Sequence, residues 1–290
     1  MVAELAGPPS TGRVLRILLH HPLAWSGAIG FAFMVALSFL GPVVYGVNPY
    51  AIHMAITLHG PMRGFPLGTD NLGRDELANV MFGGRTSILV GLTAALSSMI
   101  IGALVGVVAA WFGGWPDTIL MRLIDLLRSI PSLFLLIFLG AMFQPTAALL
   151  VVLIAFLSWS QIARLVRGEV LSLRERTFVE ASVASGASRW RIMLRHLLPN
   201  AMGTIIVATT FLVADAILLV AALSFLGLGL PPPAPNWGSE LSNATSYLAN
   251  NDWWMLYPPG ICILVTVISI NFLGDAMHEA FDTRLSSAAR

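Results

Sequence analysis

The chain has 290 residues, of which 57% are hydrophobic and only 11% charged. A soluble domain carries about 25% charged residues, so a water-covered globule is excluded and an integral membrane protein is indicated. The net charge of +1 says little, because the placement of charge governs topology in a bilayer, and it points to no nucleic-acid partner.

A span needs about 20 mainly apolar residues. Residues 1–22 hold Arg13 and Arg16 and read as a polar N-terminal segment that frays. They do not read as a cleaved signal peptide, because the apolar run that follows is long and lacks a small-residue cleavage pattern. The first span is expected over about 23–44. A polar segment follows, containing PLGTDNLGRDELANVMFGGR. In it Asp70 or Asn71 can cap a short helix from Arg74 to Phe82, closed by Gly83-Gly84. The second span is expected over about 88–112. Residues 129–163 carry no charge and are too long for one crossing. Gln144-Pro145-Thr146 interrupts them, so they read as a hairpin of spans over about 119–143 and 147–163.

A polar, arginine-bearing loop over 164–199 separates two apolar segments. Within it, TFVEASVASGASRWRIMLRHLLP reads as two short helices. Thr177 with Glu180 has the spacing of a capping box. Gly186 stands where the first helix ends, since glycine takes the left-handed conformation cheaply. Ser188 can cap a second helix, which carries Arg189, Arg191 and Arg195 and stops at Pro199. A fifth span is expected over about 202–225 and a sixth over about 256–273. Between them lies LPPPAPNWG, whose prolines favour an extended loop. Trp237, Trp253 and Trp254 suit an interfacial belt. The expectation is an all-α membrane domain over 23–290 with six transmembrane helices.

All sixteen basic residues are arginine. With the N-terminus in the cytoplasm, thirteen of them fall in inner segments: Arg13, Arg16, Arg122, Arg128, Arg164, Arg167, Arg174, Arg176, Arg189, Arg191, Arg195, Arg284 and Arg290. Only Arg63, Arg74 and Arg85 fall outside, which places both termini and the 164–199 loop in the cytoplasm.

Catalytic constellations are absent from the sequence. No histidine pair has metal-ligand spacing, and neither HExxH nor GxSxG occurs. Cys262 is the single cysteine, which excludes an intrachain disulfide. A phosphate-binding P-loop needs a lysine, and the chain has none, so ATP-driven work would need another polypeptide. Asp215 is the only carboxylate well inside an expected span. It reads either as lining a pathway or as an interhelical contact. The helix pair of the 164–199 loop offers a rigid polar knob. Its arginines can meet an acidic partner or anionic lipid heads, and the residues leave both open.

Glu180-Ala181-Ser182, then Gly186, then His196-Leu197-Leu198-Pro199 resembles the EAA loop of ABC importer permeases. Ser182 stands where the triplet has its second alanine. Leu67-Gly68-Thr69-Asp70, Gly73-Arg74-Asp75, Gly83-Gly84-Arg85-Thr86-Ser87, the LSFLGLG run, Pro235-Asn236-Trp237-Gly238, and Gly274-Asp275 with Asp282 resemble the dipeptide/oligopeptide/nickel permease family. The likeness is greatest to its C-type subunit. Val220, His278 and Thr283 replace an acidic residue, an arginine and a proline common there.

The resemblance implies a type I ABC importer permease of MetI-like fold in a bacterial plasma membrane. It implies a homologous B-type permease partner, two cytoplasmic ATPase subunits that bind the ATP and magnesium, and an extracytoplasmic substrate-binding protein. No cofactor or metal is expected in this chain itself. Thr177, Glu180, Ala181, Ser182, Gly186, Arg189, Arg191, Arg195 and Pro199 would form the cytoplasmic coupling helix. Arg74, Asp75 and Trp237 become candidates for contact with the binding protein, and Asp215 for the pathway. A secondary transporter or channel without an ATPase is the alternative, and nickel or another small solute the alternative cargo.

Overall fold

The computed structural model describes residues 11–281. Arg284, Arg290, Asp282 and Thr283 lie outside the described residues. In hydrocarbon every backbone N–H and C=O must be satisfied within the segment or its neighbours, and the chain is accordingly helical. Its helices are α1 (Thr11–His20), α2 (Pro22–Phe39), α3 (Gly41–Tyr45), α4 (Glu76–Phe112), α5 (Gly114–Ser129), α6 (Ser132–Met142), α7 (Ala147–Arg174), α8 (Thr177–Ala184), α9 (Arg189–Ile192), α10 (Leu198–Phe225), α11 (Trp237–Thr245) and α12 (Trp253–Phe281). Among the described residues five helices are long and apolar enough to cross a membrane, and the bent pair α5–α6 brings the number to six if it is one span. The polar N-terminal segment expected to fray forms α1 over its described part, a helix whose leucines share one face.

The frame is α4 against α7, with α10 closing the core between them. Small residues let the backbones approach. A Cβ at Gly102 would stand 2.6 Å from the Trp159 carbonyl oxygen, and one at Gly106 2.5 Å from that of Ala163. This is the four-residue glycine spacing of tightly packed membrane helices. α2 closes on α12 in the same way: a Cβ at Gly27 would lie 2.6 Å from the Ser269 carbonyl oxygen.

Three helices run past the limits expected from sequence. The helix expected to stop at Gly83-Gly84 continues as α4, a single rod of 37 residues. These glycines are contact points, not terminators. A Cβ at Gly84 would stand 2.5 Å from Cζ2 of Trp237, and one at Gly83 3.2 Å from Cα of Asn236. Pro199 also fails to stop a helix: α9 runs through a π turn over Met193–Leu197 into α10. Leu198 N–H donates to the Met193 carbonyl, five residues back. That wide turn accommodates a ring that would clash in a regular helix. α7 extends to Arg174 and so takes in the start of the expected loop.

The expected span over 119–143 is instead two helices, α5 and α6, bent by 82° at Ile130-Pro131. Proline disfavours helix in the residue before it, and Ile130 is extended, with ψ 128°. α5 is held to α7 by ion pairs: Arg167 meets Asp117 through two nitrogens at 2.5 and 2.6 Å, and Arg164 meets Asp125 at 2.6 Å.

The glycine contacts give opposite signs for one chemical change. Gly106→Ala should lower the thermal midpoint of the purified protein by forcing α4 from α7, a strain on the order of 1–3 kcal/mol. Gly168→Ala, where a Cβ meets nothing within 4 Å, should raise it, by up to about 1 kcal/mol.

Candidate functional site

At one end of the bundle α8 and α9 form a knob. The chain leaves α7 through a tight turn in which Arg176 N–H donates to the Leu173 carbonyl at 3.2 Å. Helix therefore resumes at Thr177 itself. The N-cap is Arg176, without a side-chain cap, so the capping box expected of Thr177 and Glu180 does not form. The exit from α8 follows the expectation. Gly186 has φ +76°, its N–H donates to the Val183 carbonyl at 3.0 Å, and Ala187 N–H donates to that of Ser182 at 3.1 Å. These two bonds make a Schellman motif. Ser188 Oγ then accepts from Arg191 N–H at 3.3 Å and caps α9.

Val179 and Ile192 are buried and anchor the knob to the core. Glu180, Ala181, Gly186, Arg189, Arg191, Arg195 and Pro199 are exposed, and Ser182 is half-buried. Of the arginines expected at this end, Arg164 and Arg167 are taken by acids of α5. Arg174 donates to the Ala110 carbonyl at 2.5 Å and lies over the Trp111 ring. Arg189, Arg191 and Arg195 make no ion pair among the described residues, and neither does Glu180. Phe178, Val183, Trp190 and Leu194 are exposed between these charges. Trp190 also meets the edge of Phe112 at the end of α4. Sequence reasoning overlooked this apolar component, although an i, i+4 reading of Trp190 and Leu194 would have found it.

The opposite end holds a buried polar cluster. Asp70 accepts from the backbone of Leu72 and Arg74 at 2.8 Å each and from Arg74 Nε at 2.6 Å. Asp75, not Asp70 or Asn71, caps α4, accepting from Ala78 N–H at 3.1 Å and from the Tyr45 hydroxyl at 2.7 Å. Burial, reinforced by that carboxylate, pushes the Tyr45 phenol above its usual range. Asn236 caps α11, accepting from Ser239 N–H at 2.9 Å. Trp237 is fully buried, donating through Nε1 to the Val80 carbonyl at 2.9 Å. Arg74, Asp75 and Trp237 are thus internal fasteners. Asp75 and Trp237 are buried and offer no free surface, so Trp237 is no interfacial anchor, whereas Arg74 is partly exposed and lines a pocket beside the prolines of the α10–α11 loop. Pro231, Pro232 and Pro233 are exposed beside them.

Glu76 and Glu240 belong to the same cluster and are close enough for Glu240 to act on Glu76 electrostatically, with Asp70 and Arg74 acting on both. Both Glu76 oxygens are buried without a hydrogen-bond donor among the described residues. Burial pushes the Glu240 carboxyl up to about 7, against the pull of Arg74 and with a further push from Asp70.

Asp215 stands in the C-terminal half of α10 and lines a cavity of about 520 Å3. The walls are the middle of α7, the C-terminal half of α10 and the α5–α6 break, and Arg128 lines the same cavity. Arg128 is exposed one residue before the end of α5, and its side chain opens onto this cavity.

Residues 87–287 match the family described as binding-protein-dependent transport system inner membrane component. Residues 11–61 match the N-terminal TM domain of oligopeptide transport permease C. The chain is 36% identical over 276 residues to the di/tripeptide transport system permease protein DppC of Pseudomonas aeruginosa (strain UCBPP-PA14), covering 93% of this chain and 91% of that one. It is 35% identical over 294 residues to a protein of Brucella abortus biovar 1 with the provisional name of peptide transport system permease, covering 98% and 99%. It is 39% identical over 282 residues to a Brucella suis biovar 1 protein provisionally named as a peptide permease, covering 96% and 93%.

The sign of the Glu240 effect can be worked out. Its folded value lies above the ordinary 4.5, so its stabilisation is complete below that value and is lost as pH rises through about 7. The thermal midpoint should fall between about pH 5 and pH 8, by on the order of 3 kcal/mol in stability. Glu240→Gln should flatten that slope.

Proposed function

The chain belongs to the inner membrane components of binding-protein-dependent transport systems, and from that membership we propose that it is the C-type permease of an ATP-driven peptide importer. It crosses the membrane several times. The observation that carries the proposal is the continuous rod from Arg189 to Phe225, 37 residues long. At about 1.5 Å per residue it reaches roughly 55 Å. It joins the exposed knob at one end to the Asp215 cavity, which lies along its C-terminal half.

On this reading the knob lies in the cytoplasm and seats in a cleft of an ATPase subunit. Glu180 and the three unpaired arginines give it charge-assisted contacts, and Phe178, Val183 and Trp190 supply the apolar centre that a stable interface needs. ATP chemistry stays in the partner subunits. When they close, each knob is displaced, and the α9–α10 rod carries the displacement into the cavity wall. This chain and a homologous permease then rock between two access states as rigid bodies. The binding protein delivers peptide at the opposite end, where Pro231–Pro233 are exposed.

Two measurements test this. Gently extracted from its own membrane, the protein should copurify with an ATPase and a second permease; isolation without any ATPase overturns the proposal. Gly186→Ile should insert normally yet abolish ATP-coupled uptake. Nothing lies within 4 Å of a Cβ there, so the penalty comes from the positive φ alone, about 1–2 kcal/mol. Gly186→Asn, which tolerates that conformation, should keep most activity. Full uptake by the isoleucine variant removes the lever.

A further inference from the structure

We infer that the cavity at the α5–α6 break binds the two charged ends of a short peptide: Asp215 takes the α-ammonium, and Arg128 with the start of α6 takes the α-carboxylate. This deepens the importer reading and rests on it.

A charge inside a bilayer persists only with a partner, a cavity or water, and Asp215 and Arg128 are both exposed. Two opposite charges line this one cavity. Among the described residues, Asp215 and Arg128 are ion-paired neither with each other nor with any other group. Their own helices supply no alternative. Both acids of α5 are already engaged, Asp117 on Arg167 and Asp125 on Arg164. α10 carries no basic residue at all. The cavity thus presents one free anion and one free cation to whatever enters.

The break adds direction. α6 begins at Ser132 behind Pro131, which offers no side-chain cap. The first-turn N–H groups are free, and Ser132 and Leu133 line the cavity. A helix N-terminus attracts anions, and here it stands beside the guanidinium of Arg128. The anionic end of a ligand therefore belongs at the break, and the cationic end against α10. Ser158 and Gln161 of α7 line the space too and can hydrogen-bond a neutral amide. A cavity of about 520 Å3 falls within the usual range for small-molecule sites, about 300–1,000 Å3.

The ligand that meets this demand is a zwitterion with hydrogen-bonding groups between its charges. An α-amino group titrates near 8 and an α-carboxyl near 3.5, so a free peptide carries both charges at neutral pH whatever its side chains. Recognition by the termini alone would let one cavity pass many sequences. It would also be weak, which suits a site the cargo must leave.

The test uses the assembled permease–ATPase complex in lipid nanodiscs, without nucleotide and without binding protein. Radiolabelled trialanine, N-acetyl-trialanine and trialanine amide are compared at millimolar concentration by equilibrium dialysis. The wild type should prefer trialanine over either blocked form by about tenfold, the scale of one charge-assisted hydrogen bond. Asp215→Asn should lose discrimination against the acetylated peptide and keep it against the amide. Arg128→Gln should do the reverse. Asp215→Glu and Arg128→Lys, which restore charge, should restore the preference, and this separates recognition from a folding defect. Equal binding of all three peptides by the wild type, no binding of any, or parallel losses in both neutral variants overturns the inference. ATP-driven uptake by the wild-type complex with its binding protein is measured alongside. Transport without terminus discrimination sinks only the cavity assignment, whereas no peptide transport at all sinks the importer reading.

Discussion

Close backbone approach of α4 and α7 is the constraint on which the rest of the structure depends. Hydrophobicity cannot drive one apolar helix onto another in lipid, because the tails are as apolar as the side chains. Gly102 and Gly106 remove the side chains that would hold the helices apart. Once α4 and α7 are fixed, α10 has one groove to fill. α5 can then be tied along α7 by the Asp117–Arg167 and Asp125–Arg164 pairs. Exposed ion pairs contribute little to stability as a rule. Here the two-point contact of Arg167 on Asp117 matters for direction: it holds α5 along α7, so that Arg128 opens onto the same cavity as the C-terminal half of α10.

The two ends of the bundle use charge in opposite ways. At the α11 end Asp70, Asp75, Glu76 and Glu240 are buried around the single cation Arg74. Such a cluster holds together only by backbone donors, caps and retained protons, and it fastens the segment before α4 to α11. At the α8–α9 end the charges are exposed and unpaired, and apolar side chains lie between them. A sealed end gives a fixed point. An end with unsatisfied binding capacity gives the place where an outside force can act.

The sequence makes local chemistry legible and distant packing illegible. Hydropathy places the long helices, since about 20 apolar residues have no other use. Gly186 and Ser188 are readable because a Schellman turn and an N-cap involve only neighbours a few residues away. Gly83-Gly84 misleads because its reason for being glycine is Trp237, far along the chain. Trp237 misleads in the same way: it reads as an interfacial anchor, yet its partner is the Val80 carbonyl, 157 residues distant. Arg74 and Asp75 stand in a segment that looks solvent-facing, and nothing local reveals that Asp70, Tyr45 and α11 enclose them. The Asp215 cavity is half legible. The lone carboxylate marks it, but Arg128 joins it only through a bend that the hydropathy pattern hides.

That bend and the π turn show two prolines put to contrary uses. Pro131 follows an extended residue and turns the chain by 82°. Pro199 sits one residue into α10 behind a π turn, and α9 and α10 still count as one rod. The difference lies in what each residue finds behind it. Pro131 follows the end of α5, which makes no further helical bonds past Ser129. Pro199 follows a turn already widened to a five-residue bond, which leaves room for the ring. On the proposed reading the rod, with a widened turn near its foot, moves as one body, while α5 stays tied to α7 by the Asp117–Arg167 and Asp125–Arg164 pairs. Displacement of the knob would then change the spacing between Asp215, on the rod, and Arg128, at the break.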